Sequence, residues 1–346
     1  MSHEQLPSPD EPPIRGRHAD KPRAIPWRGW KDLLARVGRE IREDNLDLVA
    51  AGVAFYVVLA LAPAFVALVS VYGLLASPAD VTELLEPMFM LMPNSSARIL
   101  VHGLLTDAVE AAPESLTFTA LFAILLSLWS ANRGMKALVL AVGVAYEEPE
   151  RPSVVRENLR SLGFVAVAVV VLVCAGVVFI GLPRLIEGSW IGGGMARMLE
   201  LARVPVMFAV VLVGLSSLYR WGPNRRPPKW RWVGVGSVAA ALLWLAITGL
   251  LSVYLTYAGG MQTGDESLDA VVAVLVWVYA SIWTVLLGAE LNAELEHQTA
   301  VDSTIGADAP LGERGAFVAD HIGAARTRTR TRRYPQQASQ QQLPSS

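Results

Sequence analysis

The sequence has a single cysteine, Cys174, so an intramolecular disulfide is excluded. Five histidines (His3, His18, His102, His297 and His321) lie far apart, and none pair at ligand spacing. Together with the lone cysteine, this excludes a Cys/His metal framework, and no metal or cofactor is expected. Gly-x-Ser-x-Gly and phosphate-loop patterns are absent, which argues against a hydrolase or nucleotide-driven enzyme. Gly192-Gly193-Gly194 follows no strand and reads as a turn. Charge is scarce: 17% of residues are charged, against about 25% in soluble domains. The first 26 residues contain six prolines and no apolar run. They lack the apolar region of a cleavable signal peptide and are expected to form a disordered tail.

Hydrophobic residues are abundant, at 53% of the 346 residues, with a mean hydropathy of +0.40. They gather into six blocks at about 48–75, 116–135, 162–182, 204–219, 233–257 and 270–290. A spanning helix needs about 20 apolar residues, each adding ~1.5 Å across a ~30 Å hydrocarbon core. Lipid offers no partner to backbone N–H and C=O groups, so blocks of this kind are helices. The expected fold is all-α: a polytopic membrane protein with six transmembrane helices. An apolar stretch continues past the second block to Ala145 beyond Asn132, Arg133 and Lys136, and should lie against the protein or the interface.

Of the 29 Lys and Arg residues, 25 fall on one set of alternating connections and four on the other. The positive-inside rule then puts both termini in the cytoplasm. The opposite loops are acidic, with Asp80, Glu83, Glu86, Asp107, Glu110 and Glu114 in one, and Asp265, Glu266 and Asp269 in another. This asymmetry reads either as topology alone or as a cation-attracting outer mouth.

Residues 27–47 are predicted to form an amphipathic helix, with Trp27, Trp30, Leu34, Val37 and Ile41 on one stripe. It would lie on the cytoplasmic leaflet or pack on the ends of its own bundle. Residues 76–115 carry two further amphipathic patterns separated by Pro93, and an outer helical hairpin is expected there. Residues 297–346 are polar and predicted to be disordered, with Arg326, Arg328, Arg330, Arg332 and Arg333 available to anionic lipid. Without interleaved aromatics, this run does not support nucleic-acid binding.

The span interiors carry almost no charge, which argues against a midplane ion relay. Pro63 leaves the carbonyl of Leu59 without its helical partner, and a kink is expected. Tyr56, Trp129, Trp244, Tyr254, Tyr257, Trp277, Tyr279 and Trp283 are the bulky polar-edged residues, suited either to packing and anchoring or to lining a path. Two constellations sit at inner span ends: Trp129-Ser130-Ala131-Asn132-Arg133-Gly134-Met135-Lys136 and Leu287-Gly288-Ala289-Glu290-Leu291-Asn292-Ala293-Glu294. Glu290 and Glu294 share a helix face. Their positions allow a Glu290–Arg133 pair, acting either as a structural tie or as an inner gate.

These blocks, with Ala50-Ala51-Gly52-Val53-Ala54-Phe55-Tyr56 through Leu61-Ala62-Pro63, and Ala241-Leu242-Leu243-Trp244 followed by Trp277-Val278-Tyr279, resemble the BrkB/YihY family of bacterial inner-membrane proteins, once labelled ribonuclease BN. The resemblance covers about residues 44–296. It implies a six-span protein with both ends inside, and transport of a small solute or lipid as the activity. The alternative is a scaffold for envelope proteins. Membrane lipids are the expected partners. The path or gate residues would be Tyr56, Pro63, Trp129, Asn132, Arg133, Trp244, Tyr254, Trp277, Tyr279, Glu290, Asn292 and Glu294. One departure stands out: where the family tends towards Tyr-Gly-x-Leu-Gly-Gly, this chain reads Asp265-Glu266-Ser267-Leu268-Asp269-Ala270.

Overall fold

The computed structural model describes residues 15–73, 116–148, 153–176, 193–257 and 266–323. The expected outer hairpin with its six acids and the arginine run after residue 325 lie outside these residues, whereas Glu266 and Asp269 of the second acidic stretch fall within a helix. The described residues form eight α-helices and no strand. In chain order they are α1 (Trp27–Glu43), α2 (Leu46–Gly73), α3 (Leu116–Ala145), α4 (Val154–Gly176), α5 (Gly193–Trp221), α6 (Trp230–Tyr257), α7 (Glu266–His297) and the short α8 (Phe317–Asp320).

Helices α2 to α7 fall on the six apolar blocks. Over their described residues, Trp230–Leu255 of α6 and Val271–His297 of α7 are long and apolar enough to cross a membrane. A third span is formed if α1 and α2, bent by 61° at their junction, are taken as one. Each helix packs on the next, and α7 closes back on α2, so the six form a ring with α4 and α5 in sparsest contact. Leucines, valines and aromatics of α2, α3, α4 and α6 point outward, as expected where lipid is the solvent. The inward surface is built from small residues. Ala50, Ala54, Ala141, Ala145, Ala289 and Ala293 are buried together with Val53, Val142 and Leu286. Small residues let helix backbones approach closely.

The closest approach is between α6 and α7. A Cβ on Gly236 would run into the backbone oxygen of Gly288 and lie 2.6 Å from Asn292 Cγ. A Cβ on Gly288 would lie 2.5 Å from the Tyr219 hydroxyl and 2.7 Å from the Gly236 oxygen. Only glycine fits at either position.

α3 continues without a break past Asn132 to Ala145, and its last turns enter the core through Val139, Ala141 and Val142. Pro63 lies inside α2, with its side chain outside the description.

Two expectations of disorder are corrected over part of their length. Residues 15–26 and 297–323 fold together over one end of the bundle. The N–H of Ala300 donates to Arg17 O at 2.7 Å, and Thr299 Oγ1 donates to Ala19 O at 2.7 Å. Gln298 Nε2 donates to Arg15 O at 2.7 Å. The C-terminal part is held by polar ties. Asp302 accepts from the N–H groups of Thr304 and Ala309, Arg314 donates to Ala300 O and Ala319 O, and Asp320 accepts from the N–H groups of Gly312 and Arg314. Gly312 and Gly315 have φ of +90° and +65°, the left-handed region that glycine enters without strain. Ala19, Ile25, Leu33, Val37, Trp232 and Leu295 form a second apolar cluster, joining this cap to α1, α6 and α7.

α1 packs on the bundle rather than lying free. Its buried face is Gly29, Asp32, Leu33, Arg36 and Val37, rotated from the predicted stripe, so that Trp27 and Leu34 are exposed.

Candidate functional site

The ends of α1, α3 and α7, the starts of α2, α4 and α6, and the cap meet at one polar end. Tryptophan–cation contacts surround it. Arg133 lies 4.5 Å from the Trp129 ring, Lys31 lies 5.6 Å from Trp27, and Arg220 lies 4.6 Å from Trp230, itself edge-on to Trp221. Such pairs suit the headgroup level, where an apolar ring and a charge are both accommodated.

Inside this ring the charges are buried and mostly paired. The last turns of α7 carry Glu290, Asn292, Glu294 and Glu296, all with 2% exposure or less. Arg36 of α1 forms a buried ion pair with Glu294 and donates to Gln298 Oε1 at 2.8 Å. Arg225 holds Glu296 with two hydrogen bonds of 2.7 and 3.2 Å, and both side chains are wholly buried. Ser303 donates to the same carboxylate at 2.7 Å, and the Tyr146 ring lies 4.0 Å below the guanidinium. Asn292 accepts from the N–H of Gly236 at 2.7 Å and donates to Val233 O at 3.1 Å, pinning α7 to α6.

Glu290 differs from its neighbours. It is 1% exposed, and its Oε1 has no hydrogen-bond partner. At the same end opens a cleft of about 270 Å³. Arg36, Arg39, Glu40, Glu43, Glu147 and Glu294 line it, with His297, Phe317 and His321 at the cap side. The described residues contain no group of three or more ligands able to hold a metal ion.

The expected Glu290–Arg133 pair is not what the structure shows. Arg133 is exposed and lies over Trp129, whereas Glu290 is buried. Asn132, one residue away, accepts from Ser161 of α4 at 2.6 Å. Successive helical residues point about 100° apart, so Asn132 turns to α4 while Arg133 turns outward.

The other predicted residues are spread along the bundle. Trp244 and Trp277 face each other at 6.2 Å across α6 and α7, their indoles donating to Ser281 at 2.9 Å and Thr248 at 3.2 Å. Tyr279 and Trp283 both donate to Asp47, at 3.4 and 2.8 Å, tying α7 to the start of α2. Tyr56 and Tyr254 sit on exposed faces. Sequence reasoning missed Arg36, Asp44, Arg225, Glu296 and His297. The available signal was stoichiometric: a run of acids closing an apolar helix needs counter-ions from elsewhere.

Glu148, just after α3, ties the end of that helix to the cap. Its Oε1 accepts from the Phe317 N–H at 3.2 Å. Burial raises its pKa from 4.5 to about 7, against the opposing pull of Arg225 and of that N–H. A carboxyl whose folded pKa is raised stabilises the fold below its ordinary pKa, and this contribution is lost as pH rises through the folded value. Proteolysis within residues 298–323 should therefore quicken as pH rises from about 5 to 8, and Glu148→Gln should flatten that dependence relative to a control substrate. An unchanged profile in the variant would refute the assignment.

A family model described as "Virulence factor BrkB" matches residues 37–311. The chain belongs to the BrkB family. Four-fifths of it lies in that match, and the chain is thereby a membrane protein. It is 26% identical over 275 residues to a "UPF0761 membrane protein" of Verminephrobacter eiseniae, covering 77% of this chain and 62% of that one. A second UPF0761 membrane protein, from Delftia acidovorans, is 25% identical over 293 residues, covering 82% of this chain and 66% of the other. A Bacillus subtilis protein named "Putative ribonuclease-like protein YfkH" is 27% identical over 188 residues, covering 50% and 64%. The chain thus spans just under two thirds of the length of several of these relatives. No solved structure matches the chain. BrkB is not a known enzyme family, and the ribonuclease-like name belongs to the Bacillus protein.

Proposed function

We propose that this BrkB-family protein is a transporter-like component of the bacterial cytoplasmic membrane, moving a small solute or lipid, with six spans and both termini in the cytoplasm. The observation that carries the reading is Glu290. A fully buried carboxyl with an unpartnered oxygen, near the end of a helix able to cross a membrane, is costly and marks a functional position. The polar end is then the inner mouth. The uneven division of the 29 basic residues supports that orientation, as does the tryptophan–cation ring. The interface of α6 and α7, with Trp244, Ser281, Trp277 and Thr248, offers hydroxyls and indoles rather than charges along the path. Such a lining suits an uncharged polar or amphiphilic solute.

The test is flux in proteoliposomes across a panel of osmolytes, monovalent cations and fluorescent lipid probes. At least one should move faster than in empty vesicles, and Glu290→Gln should lower that flux by about tenfold, as ~1.4 kcal/mol on the limiting barrier would. A panel that yields no flux at all sinks the proposal.

A second reading, a membrane scaffold for envelope proteins, is favoured by the folded cap. Residues 15–26 and 297–323 present an ordered polar platform rather than loose tails. Cross-linking to cap residues should then recover a reproducible partner.

A further inference from the structure

α7 ends at His297, and this residue forms part of the wall of the cleft of about 270 Å³. The residue is 6% exposed, and its two ring nitrogens have different surroundings. Nδ1 lies 3.7 Å from Glu294 Oε1 and 3.9 Å from Glu147 Oε1. Nε2 is buried and has no hydrogen-bond partner.

That asymmetry sets the tautomer of the neutral ring. A proton on Nδ1 faces two carboxylates, whereas a proton on Nε2 would be a buried N–H with no acceptor, which is costly. Nε2 is therefore the lone-pair nitrogen, an acceptor that the protein itself leaves unanswered. His321, on the same cleft, is polarised alike: its Nδ1 lies 2.9 Å from Phe317 O, which can only accept.

The charges around it select the kind of donor. Four carboxylates line the cleft, those of Glu40, Glu43, Glu147 and Glu294, against the two guanidinium groups of Arg36 and Arg39. Arg36 is engaged by Glu294, and Arg39 by Glu40 and Glu43. Glu147, 39% exposed, meets the imidazole alone among the described basic groups. With neutral imidazoles two negative charges remain, so a cation is favoured over an anion. The volume is several times the ~30 Å³ that one water occupies in the liquid, which admits an organic molecule. No set of three metal ligands exists among the described residues. Phe317, edge-on to His297 and stacked 4.0 Å from His321, offers methylene groups an apolar wall.

We propose that the cleft is a binding site for a primary aliphatic amine, whose ammonium donates to His297 Nε2 and pairs with Glu147. An ammonium brings positive charge and N–H donors together, and a lone pair beside a carboxylate accepts that combination. A short diamine answers both surplus charges, its second ammonium lying towards Glu40 and Glu43. Nε2 is closed to water, so the amine seats by shifting the rings of Phe317 and His321, the latter on the exposed side of the cap. The site goes beyond the transport reading and does not rest on it, because it concerns what this end of the bundle holds rather than what crosses it.

Equilibrium dialysis of radiolabelled putrescine against the full-length protein in detergent tests it, at pH about 8, where imidazole is ordinarily neutral. Putrescine should bind saturably, one per chain. Its bis-quaternary analogue, with every N–H replaced by N–methyl, carries the same charge. It should bind about tenfold more weakly, as loss of a hydrogen bond to a buried acceptor would predict. Glu147→Gln should weaken both amines, whereas Glu313→Gln, at an exposed cap acid outside the cleft lining, should leave both unchanged. His297→Phe should remove the preference between the two amines. In the wild type, ¹⁵N-histidine spectra should show an unprotonated Nε2 whose signal moves on adding putrescine and stays on adding the analogue. If His297→Phe does not fold, the wild-type preference and the ¹⁵N signal still decide. Equal binding of the two amines overturns the proposal, as does the absence of saturable putrescine binding. Equal effects of Glu147→Gln and Glu313→Gln would reduce the binding to general electrostatics and overturn it too. Mn²⁺ that displaces putrescine at equal concentration would make this a metal site instead. Bound putrescine with no flux from any probe leaves the site standing and removes the transport reading.

Discussion

Arg225→Ala is expected to be the most damaging single substitution at the polar end, costing about 3–5 kcal/mol of stability. Arg225 and Glu296 are wholly buried, so removing the guanidinium strands a carboxylate away from water. It also leaves the Tyr146 ring without the cation 4.0 Å above it. Glu296→Ala should be comparably severe, stranding the cation instead. The pair differs from surface pairs such as Arg39–Glu43, worth about 0–1 kcal/mol, because solvent cannot replace the lost partner. Replacing both members, Arg225→Met with Glu296→Leu, should recover most of the loss. The remainder is the Ser303 hydroxyl, which loses its acceptor, at about 1 kcal/mol. The measurement is the fraction of detergent-solubilised protein surviving graded heating as a single species. Equal losses in the double variant and in either single variant would show that the charges matter through something other than mutual burial.

The second large effect belongs to Gly236. Alanine there places a methyl group against the Gly288 backbone oxygen, and backbone cannot swing aside as a side chain can. The helices must separate, and the Asn292 bonds to the Gly236 N–H and to Val233 O separate with them. Overpacking alone costs about 1–3 kcal/mol, and a lost hydrogen bond to a buried group about 1–3 more. Gly236→Ala should therefore reduce the heat-stable fraction sharply. Gly234→Ala, two residues away with open space around its Cβ, should change it little. Equal behaviour of the two would contradict the close crossing. The contrast isolates contact from helix propensity, since glycine to alanine favours a helix at both positions.

The sequence made the six helical blocks legible because hydropathy is a sum over many residues, and single errors of placement average out. Partner choice has no such averaging. Hydropathy places neither Arg133 nor Glu290 around its helix, and a turn of about 100° per residue decides whether a side chain meets a helix or the outside. Asn132 met α4, and Arg133 met Trp129. The cap escaped for a different reason. Residues 298–323 are held by Asp302, Arg314 and Asp320 bonding to backbone groups, and such contacts leave no periodic apolar trace. A polar segment of that composition reads as disorder when only hydrophobicity is counted. In α1 the rotated buried face follows from Asp32 and Arg36, which are interior because Arg15 and Glu294 neutralise them. Hydropathy assigns both to water.

The stitching of residues 15–19 to residues 298–300 sets an order of events during synthesis. The first of these segments is made before α1 to α7, and its partner leaves the ribosome only after α7 is complete. Until then the carbonyls of Arg15, Arg17 and Ala19 have no Gln298, Thr299 or Ala300 to meet. Assembly of the helices can proceed, but closure waits until residues 298–300 have been made. A ribosome that stalls within α7 therefore releases a bundle whose first segment is still open, distinguishable by protease from one that has finished.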